Sequence, residues 1–193
     1  MKNVTVFCAS SPKVNSVYLD EAEHLAEELV NGNYGIVYGG GAVGLMGSLA
    51  NKALALNGRV KGVIPHFMVE VEWAHKGVSD MVHVDTMAER KKILIEESDA
   101  IVVLAGGIGT IEELFEVLSL KKLGQIKHSV ILVNTNKYFD PLIRMLETMI
   151  EENFMRKEHA ALWYVVNSSS EVCEALKKIP EWSDNAIEFA AVK

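Results

Sequence analysis

The sequence predicts an α/β domain: a doubly wound, mainly parallel sheet with helices on both faces. Three observations predict it. Short apolar runs rich in β-branched residues alternate with segments of helical periodicity along the whole 193-residue chain. The runs are apolar throughout rather than alternating, which suits strands covered on both sides. Glycine-rich turns sit where a strand gives way to a helix, at residues 39–44 and 105–110.

Taken in order, residues 4–9 read as a first buried strand, ended by Ser10-Ser11-Pro12. Residues 18–30 carry Leu19, Ala22, Ala26 and Leu29 at helical spacing, and Asn31-Gly32-Asn33 closes that helix. Residues 35–38 form a second strand, followed by Gly39-Gly40-Gly41 and a helix over 43–56. A third strand over 59–64 stops at Pro65. The irregular stretch 66–80 is long for a compact connection and marks a functional loop. A short strand at 81–84 precedes Thr86-Met-Ala-Glu89, a capping-box pattern that opens a helix to about residue 97. Residues 100–104 are the central buried strand, and from Thr110 the period becomes helical. A strand at 130–134, a helix over 140–152, a strand at 161–166 and a helix over 169–178 complete a single domain spanning 1–179. Residues 180–193 read as a tail in which Trp182 and Phe189 have the apolar surface to pack on the body or on a partner.

Composition narrows the function. Apolar residues make up 49% of the chain, so a full core is available without staples. The net charge is −7 with no basic run, which argues against a nucleic-acid surface while leaving room for one nucleotide at a local positive site. Cys8 and Cys173 have no metal-ligand spacing, so no metal site is expected. No segment reads as a secretory leader or a membrane span, so no membrane partner is expected and a reducing, cytoplasmic setting is the expectation.

The chemistry concentrates at the turns. Gly106, Gly107 and Gly109 let an anion approach the unpaired N–H groups and positive dipole of a helix start. Taking Ile111, Leu114, Phe115 and Leu118 as the buried stripe, Glu113 lies nearly opposite it. Thr110-x-x-Glu113 also fits a capping box, so Glu113 reads either as a cap or as a reactive carboxylate. Residues 39–44 match G-x-G-x-x-G, but the strand after them ends Val63-Ile64-Pro65-His66 without the acidic residue a dinucleotide site needs. No G-K-[ST] follows either turn, which argues against an ATPase loop. Arg90 projects from an apolar stripe with Met87 and Leu94, so it either snorkels to meet an anion or pairs with Glu89 or a loop carboxylate. His66 is the one histidine placed near the expected cleft.

Six motifs in order then resemble the LOG (Lonely Guy) family of cytokinin riboside 5′-monophosphate phosphoribohydrolases, long mislabelled lysine decarboxylases. They are Phe7-Cys-Ala-Ser-Ser11, Val37-Tyr-Gly-Gly-Gly41, Gly44-Leu-Met-Gly47, Gly62-Val-Ile-Pro65, Met87-Ala-Glu-Arg-Lys91 and Gly106-Gly-Ile-Gly-Thr-Ile-Glu-Glu113. The resemblance implies a Rossmann-like homodimer that needs no cofactor and cleaves a nucleoside 5′-monophosphate to free base and ribose 5-phosphate. It implies Arg90 and Glu113 as the catalytic pair. It places Glu72, Met87, Lys91, Ser119 and the turn Gly106, Gly107, Ile108, Gly109 and Thr110 on the nucleotide, with Ser10, Ser11, Gly39, Gly40 and Gly41 on the opposite wall. The chain departs from the pattern with Ala9 for a glycine, Ala88 for a histidine, Ala105 for a proline and Leu120 for a tryptophan. The rival expectation is a non-enzymatic carrier of a phosphate-bearing ligand, as in molybdenum-cofactor carriers. A pyridoxal-phosphate decarboxylase draws no support from Lys91 alone.

Overall fold

The computed structural model describes residues 2–69, 73–180 and 182–183. Among them seven strands form one parallel sheet: β1 (Asn3–Phe7), β2 (Gly35–Tyr38), β3 (Val60–Pro65), β4 (Asp80–Val84), β5 (Ala100–Val103), β6 (Ser129–Val133) and β7 (Tyr164–Val166). The spatial order is β4-β3-β2-β1-β5-β6-β7. The chain therefore builds outward from β1 to β4 and then returns to the other side of β1. That reversal puts a crevice outside the carboxyl ends of β1 and β5, where ligands bind in open α/β sheets.

Two apolar layers cover the sheet, as continuous apolar strands require. On one face β1 and β2 (Val4, Val6, Ile36, Tyr38) pack against α1 (Ser16–Asn31), α2 (Gly44–Ala55) and α6 (Val172–Lys178). On the other, Phe7, Val37, Ile101 and Val103 pack against α3 (Met87–Glu96), α4 (Ile108–Lys122) and α5 (Asp140–Glu151). Strand periodicity explains the split: in β5, Ala100 and Val102 point to the first layer, Ile101 and Val103 to the second.

Local chemistry agrees with the expected helix starts in one case and not in another. At α3 both halves of the capping box form. Glu89 N–H donates to Thr86 Oγ1 at 3.1 Å, and Thr86 N–H donates to Glu89 Oε2 at 3.2 Å. At α4 the expected Thr110 cap does not exist. The helix begins three residues earlier than that cap would set it, at Ile108, with Gly107 as N-cap and no side chain capping it.

One further expectation is corrected. The last strand is confined to Tyr164–Val166, because Lys157–Leu162 winds into a 3-10 helix whose start is pinned by the Arg156 N–H donating to His159 Nδ1 at 3.0 Å. Trp182 packs on the body, one of the two placements expected for it: it is buried in the second apolar layer. Phe189 lies outside the described residues.

Candidate functional site

The crevice between β1 and β5 holds a cavity of about 260 Å³. Its floor is the end of β1 and the turn after it, through Cys8, Ala9, Ser10 and Ser11. One wall is the α4 start, through Gly107, Gly109, Thr110 and Glu113, and the facing wall carries Gly39, Met46, Met68, Met87 and Arg90. The two central strands stay in register to the cavity edge, since Leu104 N–H donates to Phe7 O at 2.9 Å and Ala9 N–H to Ala105 O at 3.2 Å.

Arg90 does not snorkel. It is 4% exposed, and its guanidinium is fixed by backbone carbonyls at the ends of two neighbouring strands. Nε donates to Val63 O at 3.1 Å, and Nη2 donates to Gly39 O at 2.9 Å. Nη1 faces the cavity side, 4.0 Å from Glu113 Oε1 and within 4 Å of the Met68 and Met87 sulfurs. Glu89 is not its partner, because that carboxylate is used in the α3 cap.

Glu113 is likewise not where the periodicity puts it. The buried stripe of α4 is Thr110, Leu114, Val117, Leu118 and Lys121, while Ile111 and Phe115 are only half-buried. Rotating the stripe brings the Glu113 side chain inward, to 11% exposure beside Arg90. With no capping role to fill, this carboxylate stands one and a half turns above an uncapped helix start. Burial of such a pair is costly unless the partners meet, and here they face each other across the cavity mouth.

The turn that begins α4 is held open. A Cβ on Gly107 or Gly109 would meet no atom within 4 Å, and Ile108 is 92% exposed. Sequence reasoning misses one residue that shapes it, Tyr138, whose hydroxyl donates to Gly106 O at 2.7 Å. In a trans peptide the carbonyl and the next N–H point opposite ways. Anchoring the Gly106 carbonyl therefore fixes the Gly107 N–H as well. Tyr138 lies 32 residues away in a 3-10 connection, with no sequence signal linking it to the turn. Cys8, Met46 and Met68 also line the cavity; Cys8 and Met46 sit within two of the six motifs without being singled out, and Met68 has no sequence signal.

Other expected contacts lie elsewhere. Lys91 reaches across to α4, with Nζ 2.5 Å from Glu112 and 2.6 Å from Glu116, and the hydrogen bonds to these carboxylates push its pKa up. It ties α3 to α4 and does not line the cavity. Ser119 is exposed on α4, two turns beyond the cavity edge. Gly40 and Gly41 do not line the cavity. Gly40 has φ 81° and packs on Ile64, and Gly41 bridges Ala74. His66 stacks on His83, with ring centroids 5.4 Å apart, away from the cavity. Leu120 packs against the second apolar layer and is not among the residues lining the cavity. Glu72 lies outside the described residues. Among the described residues no group of three or more His, Cys, Asp or Glu side chains could hold a metal ion, and no helix is long and apolar enough to cross a membrane.

Comparison with known proteins is consistent with this geometry. A family model described as "Possible lysine decarboxylase" matches residues 46–176. The chain is 41% identical over 155 residues to a cytokinin riboside 5′-monophosphate phosphoribohydrolase of Rhodococcoides fascians, covering 80% of this chain and 78% of that protein. It is 32% identical over 186 residues to the phosphoribohydrolase LOG5 of Arabidopsis thaliana, covering 96% and 82% respectively. Among solved structures, the molybdenum cofactor carrier protein of Chlamydomonas reinhardtii superposes with a TM-score of 0.72 at 17% identity, over 92% of this chain and 97% of that one, which is a likeness of fold. By sequence, the chain belongs to the LOG family, the family whose model keeps the older decarboxylase description.

Proposed function

We propose that the protein is an N-glycosidase that hydrolyses AMP or a cytokinin riboside 5′-monophosphate to free base and ribose 5-phosphate. The observation that carries this reading is the buried Arg90–Glu113 pair facing across a cavity whose other end is an open, uncapped helix start. The 5′-phosphate rests on the N–H groups of the Gly107–Thr110 turn, which leaves space for it. As the bond from C1′ to the base nitrogen breaks, positive charge builds on the ribose. The Glu113 carboxylate stabilises that charge and orients the water that attacks C1′. Water supplies hydroxyl to C1′ and a proton to the departing base. Arg90, held by two carbonyls, positions the nucleotide on the base side. Met87 lies against the same nucleotide, and Ser10 and Ser11 close the opposite wall.

The acting form is a cytoplasmic homodimer. What supports the dimer is apolar surface left exposed along α4 and α5 and the turn after it: Ile108, Leu123, Met145 and Phe154. What supports the compartment is a pair of free cysteines.

The test is incubation with AMP and with isopentenyl-AMP, following base and ribose 5-phosphate by chromatography. Release that disappears in Glu113→Ala is the expected result, and the ratio of the two rates sets the substrate. Tight nucleotide binding without release of base would transfer the protein to the carrier class.

A further inference from the structure

We infer that Gly39 is the socket of Arg90: its missing side chain is what seats the guanidinium, and it is a positioning residue rather than a phosphate contact. The consequence for catalysis rests on the function proposed above; the socket itself does not.

Gly39 is the first residue of a glycine run that the family resemblance sets on a wall of the nucleotide cleft. Its neighbours give it a different role. A Cβ built on Gly39 would overlap Arg90 Nη2, lie 3.3 Å from Arg90 Cζ and 3.0 Å from Met46 Sδ. The backbone does not demand glycine here, since Gly39 lacks the positive φ that Gly40 and Gly44 show. Space is therefore the reason for glycine at this position. The Gly39 carbonyl also accepts from Nη2 at 2.9 Å, so one residue both admits the guanidinium and grips it.

The guanidinium has little room to yield. It is 4% exposed, its Nε is tied to Val63 O at 3.1 Å, and its Nη1 side is flanked by the Met68 and Met87 sulfurs. An added methyl group at residue 39 pushes the guanidinium off both carbonyls and changes its 4.0 Å separation from Glu113. Displacement of a positioned group by about 1 Å costs roughly 10²-fold in rate.

The experiment is a cycle of Gly39→Ala, Arg90→Ala and the double variant, read by thermal unfolding and by base release from AMP. Gly39→Ala is expected to lower kcat roughly 10²-fold with KM unchanged. It is expected to lower Tm in the wild-type background and to leave Tm unchanged or raised in the Arg90→Ala background, where its methyl fills vacated space. Methylguanidine in solution should restore part of the rate to Arg90→Ala and none to the double variant. An equal loss of Tm in both backgrounds overturns the socket. So does Gly39→Ala with wild-type kcat and a raised KM, the pattern of a lost phosphate contact. If the wild type releases no base, the function proposed above fails alone, and the unfolding cycle still decides the socket.

Discussion

The two glycine-rich turns occupy equivalent places, each between a central strand and the helix after it, yet their glycines answer different needs. In the run after β2 the glycines are enclosed. Gly39 makes room for Arg90. At Gly44, with φ 62°, an added Cβ would come within 2.6 Å of the Ser10 and Ser11 carbonyls. In the turn after β5, Gly107 and Gly109 have nothing within 4 Å of where a side chain would begin. An enclosed glycine is explained by the protein itself; an open one, beside an uncapped helix start, leaves its explanation to a ligand. The same residue type in the same setting is thus enclosed by the protein on one side of the crevice and left open on the other.

The contrast is most vulnerable at the open side. Glu113→Gln keeps the shape of the side chain and removes its charge, and base release should fall ~10²- to 10⁴-fold. Retention of the wild-type rate in a steady-state assay would leave the open turn without a chemical role. Gly106 tests the boundary, because it is the one enclosed glycine of the open turn, with an added Cβ 2.5 Å from Thr110 Cβ. Gly106→Ala should destabilise by about 1–3 kcal/mol in urea unfolding. Gly109→Ala should do the reverse in the free protein. It relieves the entropy of a glycine in the first turn of α4 and should raise stability by about 0.4–1 kcal/mol. It should also weaken AMP binding by calorimetry. A stability loss there would mean that the open turn is packed like the enclosed one.

The other end of α4 extends the contrast to a helix end that is fully closed. Lys121 is 2% exposed, its Nζ donates to Leu162 O at 3.0 Å, and the Tyr164 and Trp182 rings flank it within 6 Å. Burial lowers its pKa to about 8. Between about pH 8 and the ordinary lysine value near 10.5 the unfolded chain holds a proton that the native one has lost, so this group's contribution to stability rises with pH through that window. Below it the charge is buried at a cost. Lys121→Met should therefore raise Tm at pH 7 by a few degrees. The gap between variant and wild type should narrow as pH rises from 8 to 10. A gap independent of pH would show that Lys121 is fully paired by its carbonyl and rings.

Much of this architecture is legible in the sequence. Unbroken apolar runs identify strands buried on both faces, and the Thr86–Glu89 cap reads directly because its partners are three residues apart. What misleads is any inference about facing. Choosing Ile111 and Phe115 over Thr110 and Val117 as the buried stripe rotates α4 and points Glu113 at solvent. Thr110-x-x-Glu113 satisfies the spacing of a cap, but spacing does not report where the helix begins. Spacing is equally silent on the partners of Lys91, Glu112 and Glu116, which lie 21 and 25 residues on.

Which segments are strands and helices, and where the turns fall, follow from the order of residues alone, because they depend on periodicity and on contacts within one turn of chain. That Gly39 houses a guanidinium, that Tyr138 orients the Gly106 carbonyl, and that Arg90 meets Glu113 are settled only in the folded chain. Each of these joins residues at least 23 positions apart, brought together by the order of strands in the sheet and by helix rotation, and no local free-energy preference encodes either.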